Sequence, residues 1–129
     1  MVSDRVHFLR SCAELVGENA ICVTGEVPHE QREELLDEIN YGKKNILFGT
    51  QAIFSEGISV NSLSVLILGT PINNEPLLTQ LIGRVIREQE GKRTPAVVDI
   101  HLKGNTARKQ ASNRMGYYMK QGWKIQQIG

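Results

Sequence analysis

The stretch Val65-Leu66-Ile67-Leu68-Gly69-Thr70-Pro71-Ile72-Asn73-Asn74-Glu75-Pro76-Leu77-Leu78 holds a complete change of secondary structure. Four apolar residues without alternation read as a strand covered on both faces. Gly69-Thr70-Pro71 stops it. Asn73 or Asn74 then caps a helix that runs to Arg87, with Pro76 in a first turn whose N–H groups have no intrahelical partner. A strand, a tight turn and a helix in this order make half of a βαβ unit.

The same order repeats in both directions. Upstream, Asp4–Glu18 reads as a helix with Ser3 or Asp4 as its cap and with Val6, Leu9, Ala13 and Val16 on one face. Ile21–Val23 is a short strand ending at Thr24-Gly25. Pro28 suits a first helical position, and Glu30–Ile39 follows with Leu35, Leu36 and Ile39 inward. Asn45–Phe48 is a strand ending at Gly49-Thr50. Downstream, Ala96–Ile100 is a strand, Thr106–Gln121 is a basic helix stopped by Gly122, and Trp123–Ile128 is a last strand. Met1–Ser3 leaves little room for a first strand, so the chain reads as cut at that strand's edge. Together these elements predict an α/β fold with a mostly parallel sheet and helices on both faces.

Composition sets the broad class. At 129 residues, one compact domain is expected, and 40% hydrophobic with 22% charged residues suits an ordinary globular chain. No apolar run approaches the roughly 20 residues that span a bilayer, and Met1–Arg10 lacks the apolar core of a secretory signal. Cys12 and Cys22 lie in apolar stretches without a partner motif and read as reduced core residues, which points to the cytoplasm. The net charge of +1 conceals an asymmetry: residues 1–75 carry 5 basic and 11 acidic side chains, residues 76–129 carry 10 and 3. A basic C-terminal half suits an anionic partner such as a nucleic acid backbone or a triphosphate; an unevenly solvated surface would give the same count.

Three apolar strands end in a glycine–threonine pair: Thr24-Gly25, Gly49-Thr50 and Gly69-Thr70. In open parallel sheets, ligands bind beyond the carboxyl ends of the strands. Glycine lets backbone N–H groups approach a ligand and threonine adds a hydroxyl, which suits phosphate oxygens. Ordinary turn chemistry also uses these residues.

Within the helix ending at Arg87, apolar residues at positions 77, 78, 81, 82, 85 and 86 form one face, while Gln80, Gly83, Arg84 and Arg87 share the other. Gly83 costs about 1 kcal/mol against alanine in a helix interior, a cost that makes sense if something must approach closely. Arginine supplies planar, permanently charged donors for a phosphoryl group in transfer. A solvated polar face with two arginines is the alternative.

Gln80-x-x-Gly83-Arg84-x-x-Arg87 resembles motif VI of superfamily 2 helicases. About thirty residues upstream, Phe48-Gly49-Thr50-Gln51-Ala52-Ile53-Phe54-Ser55-Glu56-Gly57-Ile58-Ser59-Val60 resembles their motif V. Leu63–Leu68 with Gly69-Thr70-Pro71 matches the strand between them, and Val23-Thr24-Gly25 with Gln31-Arg32 resembles the segment before motif V. The likeness covers roughly residues 4–101 and is closer to phage-type and repair-type members than to DEAD-box RNA helicases.

The resemblance implies a C-terminal, three-layer RecA-like motor domain over residues 1–129, with 106–128 as a C-terminal extension. It implies catalytic roles for Arg87 as arginine finger, Arg84 as its nucleotide-sensing partner and Gln80 beside the same phosphate. Gly57 and Ser59 would meet the nucleotide; serine stands where many members carry aspartate, so it offers the ribose a hydrogen bond without charge. Thr50 with the Gly49 backbone would grip a nucleic acid phosphate, and Thr24 with Gly25 would make a second contact. The basic series Lys103, Arg108, Lys109 and Arg114 is a further nucleic acid candidate or a solvated face. No Gly-x-x-x-x-Gly-Lys-[Ser/Thr] phosphate loop and no Asp-Glu metal box is present in the sequence. ATP and Mg²⁺ are therefore expected on an N-terminal RecA-like partner domain, DNA is favoured over RNA, and this domain alone is expected to be inactive. The alternatives are a non-enzymatic nucleic-acid-binding accessory module, and a small doubly wound protein of the flavodoxin or response-regulator class.

Overall fold

The computed structural model describes residues 1–55, 63–69, 72, 74–86 and 95–128, with the backbone alone at 84–86. The strands are β1 (Val2–Ser3), β2 (Ala20–Val23), β3 (Ile46–Thr50), β4 (Val65–Leu68) and β5 (Ala96–Asp99). The helices are α1 (Val6–Val16), α2 (His29–Asn40), α3 (Gln51–Ser55), α4 (Glu75–Ile86) and α5 (Asn105–Lys120). One sheet runs in the order β2-β3-β1-β4-β5, and every pairing is parallel.

The chain moves one way across the sheet between β1 and β2, and the opposite way from β2 to β5. Right-handed crossovers then put α1 on one face and α2, α3 and α4 on the other. Burial agrees. Ile39 of α2, Ile53 and Phe54 of α3, Leu78, Leu81 and Ile82 of α4 and Tyr117 and Tyr118 of α5 share one core with Leu47, Leu66 and Leu68 of the sheet. Leu9 of α1 and Phe48 of β3 are buried outside that core, as expected for residues on the opposite face from Leu47. The α1 layer touches β1, β2 and β3; beyond it, Val65 and Val98 remain 49% and 44% exposed.

Several sequence expectations need correction. β3 ends at Thr50, as expected, but a helix from Gln51 to Ser55, which was not expected, begins directly after it. No strand forms over Trp123–Ile128; instead Trp123 packs edge-on against Tyr117, with ring centroids 5.9 Å apart. The residue flanking α1 is Arg5, not Ser3 or Asp4, and no side chain caps that helix. Pro28 lies one residue outside α2. Asn74 does cap α4, its Oδ1 accepting the Leu77 N–H at 3.1 Å. Cys12 and Cys22 are free and half-buried, so they are not core residues, and burial raises the Cys22 thiol pKa. No helix among the described residues is long and apolar enough to cross a membrane.

Candidate functional site at the carboxyl edge of the sheet

Parallel pairing brings the strand ends to one edge. Val23 pairs with Gly49, Val2 with both Gly49 and Leu68, and Leu68 with Asp99. One residue further along stand Thr24, Thr50, Ser3 and Gly69, with Ser3 paired to Thr50. The expected row of strand-end hydroxyls therefore exists for Thr24 and Thr50. Thr70 lies outside the described residues. Ser3, which the sequence offered only as a helix cap, joins the row.

The hydroxyls differ in their employment. Thr24 is 1% exposed. Its Oγ1 accepts the Glu26 N–H at 3.3 Å, and its carbonyl accepts the Val27 N–H at 3.1 Å. Thr24 thus builds the turn, and it is exposed Gly25 that faces solvent there. Arg32 holds the same turn from α2, its Nε donating to the Val27 carbonyl at 2.8 Å and its Nη2 to the Gly25 carbonyl at 3.3 Å. The Arg10–Glu26 ion pair ties the turn to α1. Ser3 is fully buried, and its Oγ accepts the Arg5 N–H at 3.1 Å. Thr50 is 9% exposed, and its Oγ1 is buried without a hydrogen-bond partner. An orphaned buried hydroxyl costs about 1–3 kcal/mol.

The glycines differ in the same way. A Cβ on Gly49 would fall 2.8 Å from Phe54 Cε2, so the ring of α3 occupies the place of a side chain. A Cβ on Gly83 would meet nothing within 4 Å. Gly83 and Gln80 lie on the exposed face of α4, opposite buried Leu78, Leu81 and Ile82. Internal packing therefore explains Gly49 and leaves Gly83 without an internal reason. Arg87, Gly57 and Ser59 lie outside the described residues, as does the side chain of Arg84.

At the far edge the basic series divides. Lys103, Arg108 and Lys109 are exposed, but Arg114 is 3% exposed and belongs to an internal cluster. Its Nε donates to Asp99 Oδ2 at 2.7 Å and its Nη2 to Oδ1 at 2.9 Å. The Tyr118 hydroxyl donates to Oδ2 at 2.7 Å. Burial alone would raise the Asp99 pKa, but the hydrogen bonds from Arg114 and Tyr118, with the charges of Arg114 and His101, hold it below the usual carboxylate value. Burial and the same carboxylate push the Tyr118 phenol well above its ordinary range. Arg114 is therefore not a surface cation, and no spacing rule in the sequence announced its pairing with Asp99 across 15 residues.

Comparison with known proteins gives this edge a family. Residues 1–89 match the helicase conserved C-terminal domain. The protein named probable helicase D10 of Escherichia phage T5 is 42% identical over 127 residues, covering 96% of this chain and 28% of that protein. The ATP-dependent DNA helicase uvsW of Enterobacteria phage T4 is 30% identical over 95 residues, covering 74% and 19%. A protein of Acanthamoeba polyphaga mimivirus, named for ATP-dependent RNA helicase activity, is 36% identical over 84 residues, covering 64% and 16%. This chain thus spans less than a third of the length of these relatives. In three dimensions it resembles the RNA helicase Prp28 of Chaetomium thermophilum, with a TM-score of 0.75 at 21% identity, covering 95% of this chain and 30% of that one. With its all-parallel RecA-like sheet and a family match over residues 1–89, the chain belongs to the helicase conserved C-terminal domain family.

Proposed function

We propose that this domain is the second motor domain of an ATP-dependent superfamily 2 helicase or translocase, acting on DNA in preference to RNA. In this reading Thr50 and the backbone near Gly25 and Gly49 grip one phosphate backbone. Arg87, with Arg84 and Gln80, meets the γ-phosphate of an ATP held chiefly by the N-terminal domain, while Gly57 and Ser59 approach the nucleotide from this side. The sequence carries no Gly-x-x-x-x-Gly-Lys-[Ser/Thr] phosphate loop and no Asp-Glu metal box after a strand, and the reading assigns Mg²⁺ to the partner domain. DNA rests on the resemblance to phage-type members and on the uvsW relative; the mimivirus relative, named for RNA, favours the other polymer.

The observation that carries the reading is the unpartnered Thr50 Oγ1 at the carboxyl edge, in register with Ser3 and beside the Gly25 turn. A hydroxyl left unsatisfied at a strand end is poised for a phosphate oxygen that completes its hydrogen bonding. Gly83 adds a second sign, since its missing side chain leaves open space on the face that carries Gln80.

The test is titration of the ¹⁵N-labelled protein with a short single strand. The signals of Gly25 and Thr50 should move, and binding should weaken steeply with salt because phosphate contacts dominate. Movement confined to Lys103, Arg108 and Lys109 would overturn the assigned grip. Identical affinity for DNA and RNA strands of one sequence would remove the preference for DNA.

A further inference from the structure

A cleft of about 430 Å³ opens between the start of α4 and α5. Ile72, Leu78 and Tyr117, 3%, 2% and 7% exposed, form its apolar lining. Asn74 and Glu75 stand on the α4 side; Asn113, Gly116 and Lys120 line the α5 side with Tyr117, at the i, i+3, i+4, i+7 spacing of one helix face. Arg114 also lines it. The Arg114 fork to Asp99 uses Nε and Nη2, and the third nitrogen, Nη1, is buried without a partner. Such a group costs stability until an acceptor reaches it.

Gly116 keeps the cleft open. It sits in the interior of a 16-residue helix, where glycine is about 1 kcal/mol worse than alanine. A Cβ there would meet nothing within 4 Å. The cost is not explained by packing, and a larger side chain would have open space at a position that lines the cleft.

The lining chemistry identifies the occupant. Asp99 already neutralises Arg114, and the Glu75 carboxylate offsets the Lys120 ammonium, so the cleft as a whole does not select a bare anion. It offers an aromatic ring, aliphatic side chains, the Ser112 hydroxyl, two amides that both donate and accept, and a carboxylate acceptor. A nucleobase presents the matching set: a flat apolar face and an edge of mixed donors and acceptors. The cleft also borders the carboxyl edge, since Asn74 follows β4 and Asp99 ends β5 in register with Leu68.

We propose that this cleft receives one unpaired base of the nucleic acid strand whose backbone is gripped at Thr50 and Gly25. The inference rests on the proposed nucleic acid reading and adds a base-binding pocket to it. The experiment is ¹⁵N chemical-shift mapping of the protein with an eight-nucleotide thymidine strand, an abasic strand of equal length, and free thymidine at matched concentration. The thymidine strand should shift Asn74, Asn113 and Gly116, and the abasic strand should not. Gly116→Leu, which fills the cleft from a position with open space, should weaken the thymidine strand about tenfold. It should leave the abasic strand unaffected. Asn113→Ala, at an exposed position, should weaken the thymidine strand in the same direction.

Equal cleft shifts from the abasic strand would make this a phosphate site and overturn the proposal. So would cleft shifts from free thymidine alone, or unchanged affinity in both variants. Movement at Gly25 and Thr50 with a silent cleft would sink the base pocket and leave the grip standing. A responding cleft with silent Gly25 and Thr50 would keep the pocket and remove the grip.

Discussion

Ser3 stands opposite Thr50 in the parallel pairing of β1 with β3, yet only one of the two hydroxyls is satisfied. Ser3 Oγ accepts the Arg5 N–H, while Thr50 Oγ1 has no partner. Thr50→Val keeps the shape and removes the orphan. Folding stability of the free domain should hold or rise by about 1 kcal/mol in urea unfolding. Affinity for a single strand should fall. A variant that loses stability and keeps its affinity would show that the hydroxyl serves the fold rather than the grip.

Gly49 and Phe54 are related by contact instead. Gly49→Ala would drive a Cβ to 2.8 Å from a ring that is 4% exposed. Overpacking of this kind costs about 1–3 kcal/mol. Trimming the ring should relieve it, so Phe54→Leu combined with Gly49→Ala should cost less than the sum of the single changes. Strict additivity in denaturation midpoints would mean that the glycine is required for its backbone and not for the ring.

The Asp99 cluster predicts an acid response. The folded-state pKa of Asp99 lies below its ordinary value, so the unfolded chain binds the proton more readily. The resulting stability is fully present above the ordinary carboxylate pKa of about 3.9 and is lost as pH falls through the lower folded value. Asp99→Asn should flatten that part of the acid limb. Because it leaves Arg114 buried without its counter-charge, it should also cost about 3–5 kcal/mol at neutral pH. Tyr118→Phe removes one hydrogen bond to a charged group and should cost about 1.5–3 kcal/mol. An acid limb unchanged in Asp99→Asn would show that other carboxylates govern it.

What the sequence disclosed and what it hid follow from the range of the forces involved. The run Val65–Leu68 and the turn after it are local, and the strand lies where its apolar run predicts. The row formed by Thr24 and Thr50 was legible because parallel strands after equivalent turns must end on one edge. Ser3 was hidden by the shortness of β1, a two-residue strand held by two neighbours. The strand expected over Trp123–Ile128 failed because its strongest apolar group, Trp123, packs on Tyr117 and Tyr118 beside the helix. Arg114 read as one more cation because its burial depends on Asp99, a contact that only folding creates. The Gly49 and Gly83 codes look alike in sequence, and only neighbouring atoms distinguish a ring in contact from open space.

The last prediction concerns Arg87, which follows the last residue of α4. In the proposed motor it reaches across the domain interface to the γ-phosphate held by the N-terminal domain. A transferring phosphoryl group spreads negative charge over its equatorial oxygens, and a guanidinium fork answers that charge in a way that a single ammonium does not. Where arginine fingers act in related chemistry they contribute about 10³–10⁵ in rate. Arg87→Ala in the two-domain protein should therefore reduce ATP turnover by orders of magnitude. Arg87→Lys should recover little. Buried Leu78, Leu81 and Ile82 fix α4 to the core and are untouched by either change, so the thermal midpoint should stay near that of the wild type. Affinity for single strands without nucleotide should also persist, which separates Arg87 from Thr50. Steady-state ATPase measured with and without nucleic acid on wild type, Arg87→Ala and Thr50→Ala gives the comparison. Near wild-type turnover in Arg87→Ala would transfer the role to Arg84, three residues back in the sequence.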